Sequence, residues 1–325
     1  MIESTLRACD GTDLAVRTTS PSGPARGIVQ ILHGMAEHAA RYDALAADLA
    51  EAGYVVVTHD QRGHGRTAPH SLGHLADRDG WSLLVEDALQ VGVAARAAHP
   101  DLPLVLLGHS MGSLVARTLV LRHSHAVDGL ILSGTVANPG HVQRLAAKAL
   151  ALALGRVFGG SQPSPIMDKL VNGGFNKQFA PARTEFDWLS RDARAVDEYV
   201  ADPASGFICS NRFYADLFTG LGMAVDRSRI SGVRPDLPIL LLSGDEDPVG
   251  NNGDGVVKVA RSYRRAGLRD VTTCLYKGGR HEMFNELGRD EVVVDLLAWL
   301  NSHTAAATPS ADVIPLRPKQ ARTDT

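Results

Sequence analysis

The stretch Leu104–Leu121, LVLLGHSMGSLVARTLVL, contains the pattern from which the fold can be predicted. Its first four residues are an apolar run that predicts a buried strand, and Met111–Leu121 predicts a helix directly after it. Between them lies Gly108-His109-Ser110-Met111-Gly112, a G-x-S-x-G pattern whose small outer residues let strand and helix approach in a sharp turn. Such a turn lifts the Ser110 hydroxyl clear of the sheet and beside a helix N-terminus, which favours developing negative charge. Ser110 is therefore the candidate nucleophile.

Similar apolar runs recur on both sides of this stretch and alternate with segments of helical spacing. Continuous apolar strands are buried on both faces, and helices between them imply a parallel sheet with right-handed crossovers. We therefore predict an α/β fold with a mostly parallel, doubly wound sheet, preceded by a hairpin. The predicted strands are Thr5–Ala8, Leu14–Thr18, Gly27–Leu32, Tyr54–His59, Leu130–Ser133, Ile239–Leu242 and Val271–Tyr276, and the predicted flanking helices are Ala39–Ala52, Trp81–His99, Val256–Ala266 and Val292–Asn301.

The alternation breaks in the segment 135–234, where helical patterns appear without a strong strand. An insertion between two strands of a parallel sheet lies over its carboxyl edge, where open α/β folds bind ligands. We predict two parts of one sheet domain, at 1–134 and 235–303, and a helical cap at 135–234 between them. The residues 304–325 are small, polar and proline-containing, which is typical of a disordered tail.

Ala146–Phe158, in the predicted cap, is a helix candidate rich in leucine and alanine. Its apolar residues are too many for one narrow stripe. We expect Leu152 and Phe158 to bind the substrate's acyl chain or to contact lipid aggregates. The alternative is a helix buried against the sheet domain.

The charge balance excludes some partners. Among 325 residues, 33 are Lys or Arg and 36 are Asp or Glu, which gives a net charge of -3. This offers no basic field for nucleic acid, so none is expected as a partner. No apolar run approaches the ~18 residues of a membrane span, and no secretory leader is apparent, so we expect a cytoplasmic protein without a transmembrane segment.

A serine nucleophile needs a base, and the base needs an orienting acid. In G-x-S-x-G hydrolases the acid and then the histidine follow the serine, each after a later strand. The loop Lys277–Met283 follows the last predicted strand and contains His281. We predict His281 as the general base.

The preceding strand leads into Ser243-Gly244-Asp245-Glu246-Asp247-Pro248, where three carboxylates compete for the role of acid. We choose Asp247, because Pro248 fixes the backbone just after it. Asp245 is the alternative.

The first parallel strand leads into His33-Gly34-Met35-Ala36-Glu37-His38. An early loop of this kind supplies one backbone N–H to an oxyanion hole, and the residue after the nucleophile supplies the other. We assign the N–H groups of Met35 and Met111. His33 is expected to form a buried hydrogen bond that shapes the loop, not to take part in catalysis.

Rival chemistries fit the residues less well. The zinc pattern H-E-x-x-H begins at His281, but Asn285 occupies the position of its second histidine. A calcium loop starting at Asp245 would place Val249 and Val256 at positions that need side-chain ligands. The first strand–helix turn also lacks the G-x-G-x-x-G of a dinucleotide site. We therefore predict no metal and no cofactor.

In combination these segments make the chain similar to the monoacylglycerol lipase and lysophospholipase branch of the serine α/β-hydrolases. The resemblance implies the nucleophile Ser110, the acid Asp247, the base His281 and a helical cap that encloses an acyl pocket. The polar, glycine-rich loop 249–255 departs from the family pattern. The matching segments are HGMAEHAARY at His33–Tyr42, DQRGHGRT at Asp60–Thr67, GHSMGS at Gly108–Ser113, WLSRDARAVDEYVADP at Trp188–Pro203, GDEDPVG at Gly244–Gly250 and GGRHEMFNE at Gly279–Glu286.

We therefore expect a serine carboxylic-ester hydrolase that acts through an acyl-enzyme. Its substrate would be a small-molecule ester or a lipid such as a monoacylglycerol or lysophospholipid. One alternative is an amide or peptide hydrolase resembling proline aminopeptidases, which needs acidic cap residues to hold a substrate amine. The cap's candidates have the spacing of a solvated helix face: Glu185, Asp187, Asp192, Asp197 and Glu198. The other alternative is an inactive ligand receptor.

Overall fold

The computed structural model describes residues 1–304, in which eight strands form one sheet flanked by helices. The strands are β1 (Ile2–Arg7), β2 (Asp13–Thr19), β3 (Gly27–Leu32), β4 (Tyr54–His59), β5 (Leu104–His109), β6 (Gly129–Ser133), β7 (Ile239–Gly244) and β8 (Val271–Tyr276). The helices are α1 (Asp43–Glu51), α2 (Gly80–Ala98), α3 (Met111–Arg122), α4 (His141–Phe158), α5 (Pro165–Val171), α6 (Ala193–Ala201), α7 (Asn211–Ala224), α8 (Arg227–Ile230), α9 (Asp254–Arg265) and α10 (Arg289–Thr304). Short 3-10 turns lie at Ala39–Tyr42, Gly65–Thr67, Phe175–Phe179 and Met283–Asn285.

The strand order in the sheet is β1-β2-β4-β3-β5-β6-β7-β8. β1 and β2 form an antiparallel hairpin, β2 runs antiparallel to β4, and every later pair is parallel. All residues of β3 through β7 are buried, as continuous apolar strands between two helical layers require. The predicted α/β class with a mostly parallel, doubly wound sheet is confirmed.

Successive residues of one strand supply two separate cores. In β3, Ile28 packs in a core shared with α2, α3 and α9, whereas Val29 packs in a second core with α1 and α10. Side chains alternate between the faces of a strand, so one apolar run feeds both cores. The parallel strands thereby hold their carboxyl ends in line, and the loops that follow β3, β5, β7 and β8 share one edge of the sheet.

The helices α4 to α8 lie between β6 and β7 in the chain. Arg117 of α3 binds the start of this insertion and the end of α7, because its guanidinium donates to the carbonyl oxygen of Val136 at 2.8 Å and to that of Ala224 at 3.1 Å. α4 begins at His141, five residues before the predicted start. α5 was not among the predicted helices. Pro165 opens it at the first helical position, where an N–H has no partner within the helix and its absence is tolerated.

The C-terminal boundary differs slightly from the prediction. Thr304, assigned to the tail, is buried at the end of α10 and lies 2.9 Å from the hydroxyl of Tyr54. The rest of the predicted tail, 305–325, falls outside the described residues. Within residues 1–304, no helix has the length and apolar character that crossing a membrane requires. Cys9, Cys209 and Cys274 are free thiols.

Candidate active site

Ser110 lies in a sharp turn between β5 and α3 and has φ 50° and ψ -118°, a conformation that non-glycine residues rarely adopt. Its flanking glycines allow the turn. A Cβ on Gly112 would lie 2.2 Å from the carbonyl oxygen of Leu32, and one on Gly108 would lie 2.4 Å from that of Gly112. The Ser110 N–H donates to the carbonyl oxygen of Ser133 at 2.9 Å, and this hydrogen bond holds the strained residue against β6. Strain of this kind persists only where surrounding structure enforces it.

Ser110 and His281 line the same cavity, which has a volume of about 650 Å³. Met35 and Met111 line it as well, so the loops after β3, β5 and β8 meet there. The inserted segment supplies most of the remaining wall. Its apolar members are Val136, Val171, Phe175, Phe186, Trp188, Leu189, Phe207, Leu217, Phe218 and Leu221, and its polar members include Asp168, Lys169, Asn172, Asn176, Thr184 and Glu185.

His281 and Asp247 form a buried pair. The Nδ1 atom of His281 lies 3.0 Å from each carboxylate oxygen of Asp247, and both side chains are buried. Burial by itself lowers the pKa of His281, but the charge of Asp247 and its hydrogen bond outweigh burial and raise that pKa above 6.5. Burial conversely raises the pKa of Asp247, and the facing imidazole outweighs it, so that this pKa is lowered.

The two competing carboxylates after β7 have different surroundings. Asp247 also accepts the Val249 N–H at 2.9 Å and the Ser243 hydroxyl at 3.2 Å, so its orientation toward the imidazole is fixed. Asp245 points instead to the start of the β8 loop, where it accepts the Gly278 N–H at 2.6 Å. Asp245 therefore joins two loops and does not reach His281.

The loop after β3 orients the Met35 N–H. His33 donates from Nδ1 to the Gly34 carbonyl at 2.8 Å, and its Nε2 accepts the Gln61 N–H at 2.9 Å. Since the Gly34 carbonyl and the Met35 N–H belong to one planar peptide, this bond fixes the direction of that N–H. Within residues 1–304, the N–H groups of Met35 and Met111 have no hydrogen-bond acceptor. Burial lowers the pKa of His33, which keeps the imidazole neutral.

Two rings beside His281 were not singled out from the sequence. The ring centre of His109 lies 4.7 Å and that of Trp188 lies 5.1 Å from the His281 ring centre. The Trp188 carbonyl also accepts the His281 N–H at 3.4 Å. His109 occupies the variable second position of G-x-S-x-G, and Trp188 is the first residue of the family-like segment Trp188–Pro203. Their positions in these motifs were the only indication in the sequence that they lie near the site.

Leu152 and Phe158 do not line this cavity, so the expected contact with an acyl chain is not seen there, and the alternative contact with lipid aggregates stays a prediction. α4 packs against α7, and Leu152 is half-buried in that contact, whereas Phe158 is 62% exposed at the end of the helix. The apolar cavity wall comes instead from α7 and the segments between the inserted helices. In the described part of the chain, no three His, Cys, Asp or Glu side chains are grouped as a metal ion would require.

Comparisons with known proteins identify the family and the fold. The family described as "Serine aminopeptidase, S33" matches residues 23–288. The monoacylglycerol lipase of Mycolicibacterium smegmatis is 30% identical over 305 residues, covering 93% of this chain and 97% of that protein. The human monoglyceride lipase is 29% identical over 309 residues, covering 92% and 90%.

Among solved structures, a thermostable carboxyl esterase from Bacillus coagulans in complex with glycerol matches with a TM-score of 0.86. It is 29% identical in sequence and covers 93% of this chain and 98% of its own. The resemblance drawn from the sequence motifs is therefore confirmed at the level of family and fold.

Proposed function

The chain belongs to the serine aminopeptidase S33 family and is a hydrolase of the lipase and esterase class, and from this premise we propose that it cleaves acyl esters with Ser110, His281 and Asp247. One observation carries the proposal. The strained Ser110 and His281 line the same cavity, and His281 forms a buried pair with Asp247. The proposal extends to Met35 and Met111 as oxyanion donors, because both residues line that cavity and, within residues 1–304, neither N–H group has another acceptor.

Acylation begins when the Nε2 atom of His281 removes the Ser110 proton as the hydroxyl attacks the ester carbonyl. The charge that develops on the carbonyl oxygen is stabilised by the N–H groups of Met35 and Met111. Asp247 holds the imidazole with its proton on Nδ1 and stabilises the imidazolium. His281 then protonates the leaving alcohol, and the acyl group remains on Ser110.

Deacylation repeats these steps with water. His281 removes a proton from the water that attacks the acyl-enzyme, and the same two N–H groups stabilise the second oxyanion. The proton passes to Ser110 as the carboxylic acid leaves. No step needs a cofactor.

The substrates we propose are amphiphilic acyl esters of the monoacylglycerol or lysophospholipid kind, together with small esters. The cavity combines an apolar wall from α7 with polar side chains from the segment 168–185, which suits an acyl chain joined to a polar alcohol. In this proposal the segment 135–234 serves as the cap. Its exposed apolar residues would make peripheral contact with lipid aggregates: Val142, Val157, Phe158, Ile166 and Leu170.

The amide and peptide alternative receives less support from the insertion. Of its five acidic candidates, four already have local partners. Asp187 accepts the Arg183 N–H, Asp192 accepts the Arg194 N–H, Asp197 pairs with Arg183, and Glu198 lies 3.5 Å from Arg194. Of these five, only Glu185 lines the cavity. Asp168 lines it too, but its carboxylate already accepts hydrogen bonds from Asn172 and Tyr214, and Glu37 and Glu282 are paired with Arg41.

A substrate panel tests the proposal. Purified protein is assayed on p-nitrophenyl esters, monoacylglycerols, lysophospholipids and aminoacyl p-nitroanilides, with Ser110→Ala and the exposed control Ser231→Ala. We expect ester cleavage that Ser231→Ala retains and Ser110→Ala loses by about 10³-fold or more. Faster cleavage of the anilides would favour the peptidase alternative, and an unreactive wild-type protein would favour the receptor.

A further inference from the structure

Three charged side chains form a bridge between the loop after β3 and the loop after β8. Arg41 Nη1 lies 2.7 Å from Glu37 Oε2 and 2.5 Å from Glu282 Oε1, and Arg41 Nη2 lies 2.7 Å from Glu282 Oε2. Glu37 is 3% exposed, Glu282 is 6% exposed, and the Arg41 side chain is 11% exposed. Glu37 and Glu282 line the cavity that contains Ser110.

Burial makes this bridge expensive as a source of stability. The free energy lost when charged groups leave water often exceeds the free energy gained from their mutual attraction. Replacing a buried ion pair by well-packed apolar residues therefore often leaves a protein at least as stable. Burial opposes ionisation of Glu37, but the charges of Arg41, His109 and His33 and the hydrogen bond from the Gly34 N–H together outweigh burial and lower the pKa of Glu37 to about 2, so this carboxylate is charged. A contribution to the free energy of unfolding therefore does not by itself explain why the chain contains this bridge.

On one side, the bridge fixes the loop that contains Met35. Glu37 Oε1 accepts the Gly34 N–H and, at 2.8 Å, the hydroxyl of Tyr42. With the Gly34 carbonyl held by His33, the backbone before Met35 is fastened at both its N–H and its carbonyl.

On the other side, the bridge fixes the loop that contains His281. Glu282 is the next residue along the chain, and its own N–H donates to the Leu189 carbonyl at 2.8 Å. The two parallel hydrogen bonds from Arg41 set both the distance and the orientation of this carboxylate.

A residue of the insertion covers the bridge. The ring centre of Tyr199 lies 4.7 Å from the Arg41 guanidinium, and its hydroxyl donates to the Ala36 carbonyl at 3.0 Å. Ala36 has φ 54°, an unfavourable value for alanine that these contacts maintain. Tyr199 thus shields the ion pairs from water and joins the insertion to the same loop.

We propose that Arg41 is a positioning residue, which holds the Met35 N–H and the His281 imidazole at the spacing that one ester carbonyl requires. Arg41 contacts neither the nucleophile nor the base and acts through Glu37 and Glu282. The inference rests on the proposed function, because it gives the bridge a role in that same reaction. Displacing a reacting group by about 1 Å costs on the order of 10²-fold in rate.

The first test is Arg41→Lys, since an ammonium cannot reproduce the parallel bonds to Glu282 while binding Glu37 in the same geometry. We expect kcat on p-nitrophenyl butyrate to fall by roughly 10- to 100-fold with little change in KM. The inhibition constant of a phenylboronic acid should rise by the same factor, because its tetrahedral serine adduct uses the same N–H groups. The control is Arg194→Lys in the exposed pair with Glu198, and it should behave as wild type.

The second test separates position from stability. It uses the triple variant Glu37→Gln/Arg41→Met/Glu282→Gln, in which all three charges are removed. The glutamine side chain at position 37 still offers an oxygen that can accept the Gly34 N–H and the Tyr42 hydroxyl. We expect this variant to melt at or above the temperature of Arg41→Met alone, because no unpaired buried charge remains. Its kcat should stay low, as in Arg41→Lys.

Wild-type kcat and boronic-acid affinity in the folded triple variant would overturn the proposal. A rate loss that matches the unfolded fraction in both variants would also overturn it. Failure of the proposed function is a separate outcome, because it would appear in the wild-type protein as ester cleavage that survives Ser110→Ala.

Discussion

His281 Nδ1 lies 3.0 Å from both carboxylate oxygens of Asp247, although 34 positions separate the two residues in the chain. The pairing arises because β7 and β8 are parallel neighbours, so the loops that follow them begin at the same edge of the sheet. Asp245, two residues from Asp247, binds Gly278 instead.

Asp247→Asn should lower kcat/KM by about 10⁴-fold, the cost of the equivalent change in a serine protease, because an amide favours the wrong imidazole tautomer. Asp245→Asn is the matched control and should lose far less, since it disturbs only a loop contact. Steady-state kinetics on one soluble ester compares them. If Asp245→Asn were the more damaging change, Asp247 would not be the orienting acid.

The activity should fall as the medium is acidified through the pKa of His281, because an imidazolium cannot accept the Ser110 proton. The paired Asp247 raises this pKa above 6.5, so the acid limb of kcat/KM should have its midpoint above that value. A pH–rate profile between pH 4 and 9 measures it. A rate that stays flat down to about pH 4 would exclude a histidine base.

Stability should also depend on pH, through histidines that take no part in the reaction. Burial lowers the pKa values of His59 and His64 from 6.5 to about 3. Between these values the unfolded chain binds protons and the folded chain does not, so acidification from pH 6.5 lowers the free energy of unfolding. The slope is about 1.4 kcal/mol per pH unit for each histidine, and the contribution is fully retained above pH 6.5.

His59→Phe isolates one of these contributions, because neither ring nitrogen of His59 has a hydrogen-bond partner within residues 1–304. Urea unfolding at several pH values between 4 and 6 should give a slope about 1.4 kcal/mol per pH unit smaller than that of wild type. An unchanged slope would show that His59 is not the buried neutral group described.

Preference for long acyl chains should depend on α7 and not on α4. Leu217 lines the cavity, so Leu217→Ala should lower kcat/KM on long-chain esters by about 10-fold and spare acetate esters. The expected loss follows from about 0.8 kcal/mol of binding free energy for each methylene contact that is lost. Phe158→Ser is the control on α4 and should leave cleavage of dissolved esters unchanged. Equal losses on acetate and long-chain esters would contradict this assignment of the acyl wall.

The sheet could be predicted because continuous apolar runs such as Tyr54–His59 are typical of parallel strands. Chemistry at strand ends could be predicted for the same reason, since parallel strands bring the loops of Ser110 and His281 to one edge. The conformation of the G-x-S-x-G turn could be predicted as well, because a Cβ atom at Gly108 or Gly112 would clash with nearby backbone.

The insertion could not be predicted in the same detail. An amphipathic helix such as α4 shows in its sequence that one face is covered, but not which element covers it, and that element is α7. The contact of Arg41 with Glu282 could not be predicted either, since the two residues lie 241 positions apart in the chain. Contacts of this kind depend on tertiary packing, which a local pattern does not record.

The proposed mechanism requires that Ser110 is the nucleophile and that His281 activates it. A fluorophosphonate probe tests it most directly, because it forms a stable adduct with an activated serine and the labelled peptide can be identified by mass. We predict one adduct per chain, on the peptide that contains Ser110, with no labelling of Ser110→Ala and strongly slowed labelling of His281→Ala. An adduct on another residue, or labelling of Ser110→Ala at the wild-type rate, would show that Ser110 is not the activated nucleophile.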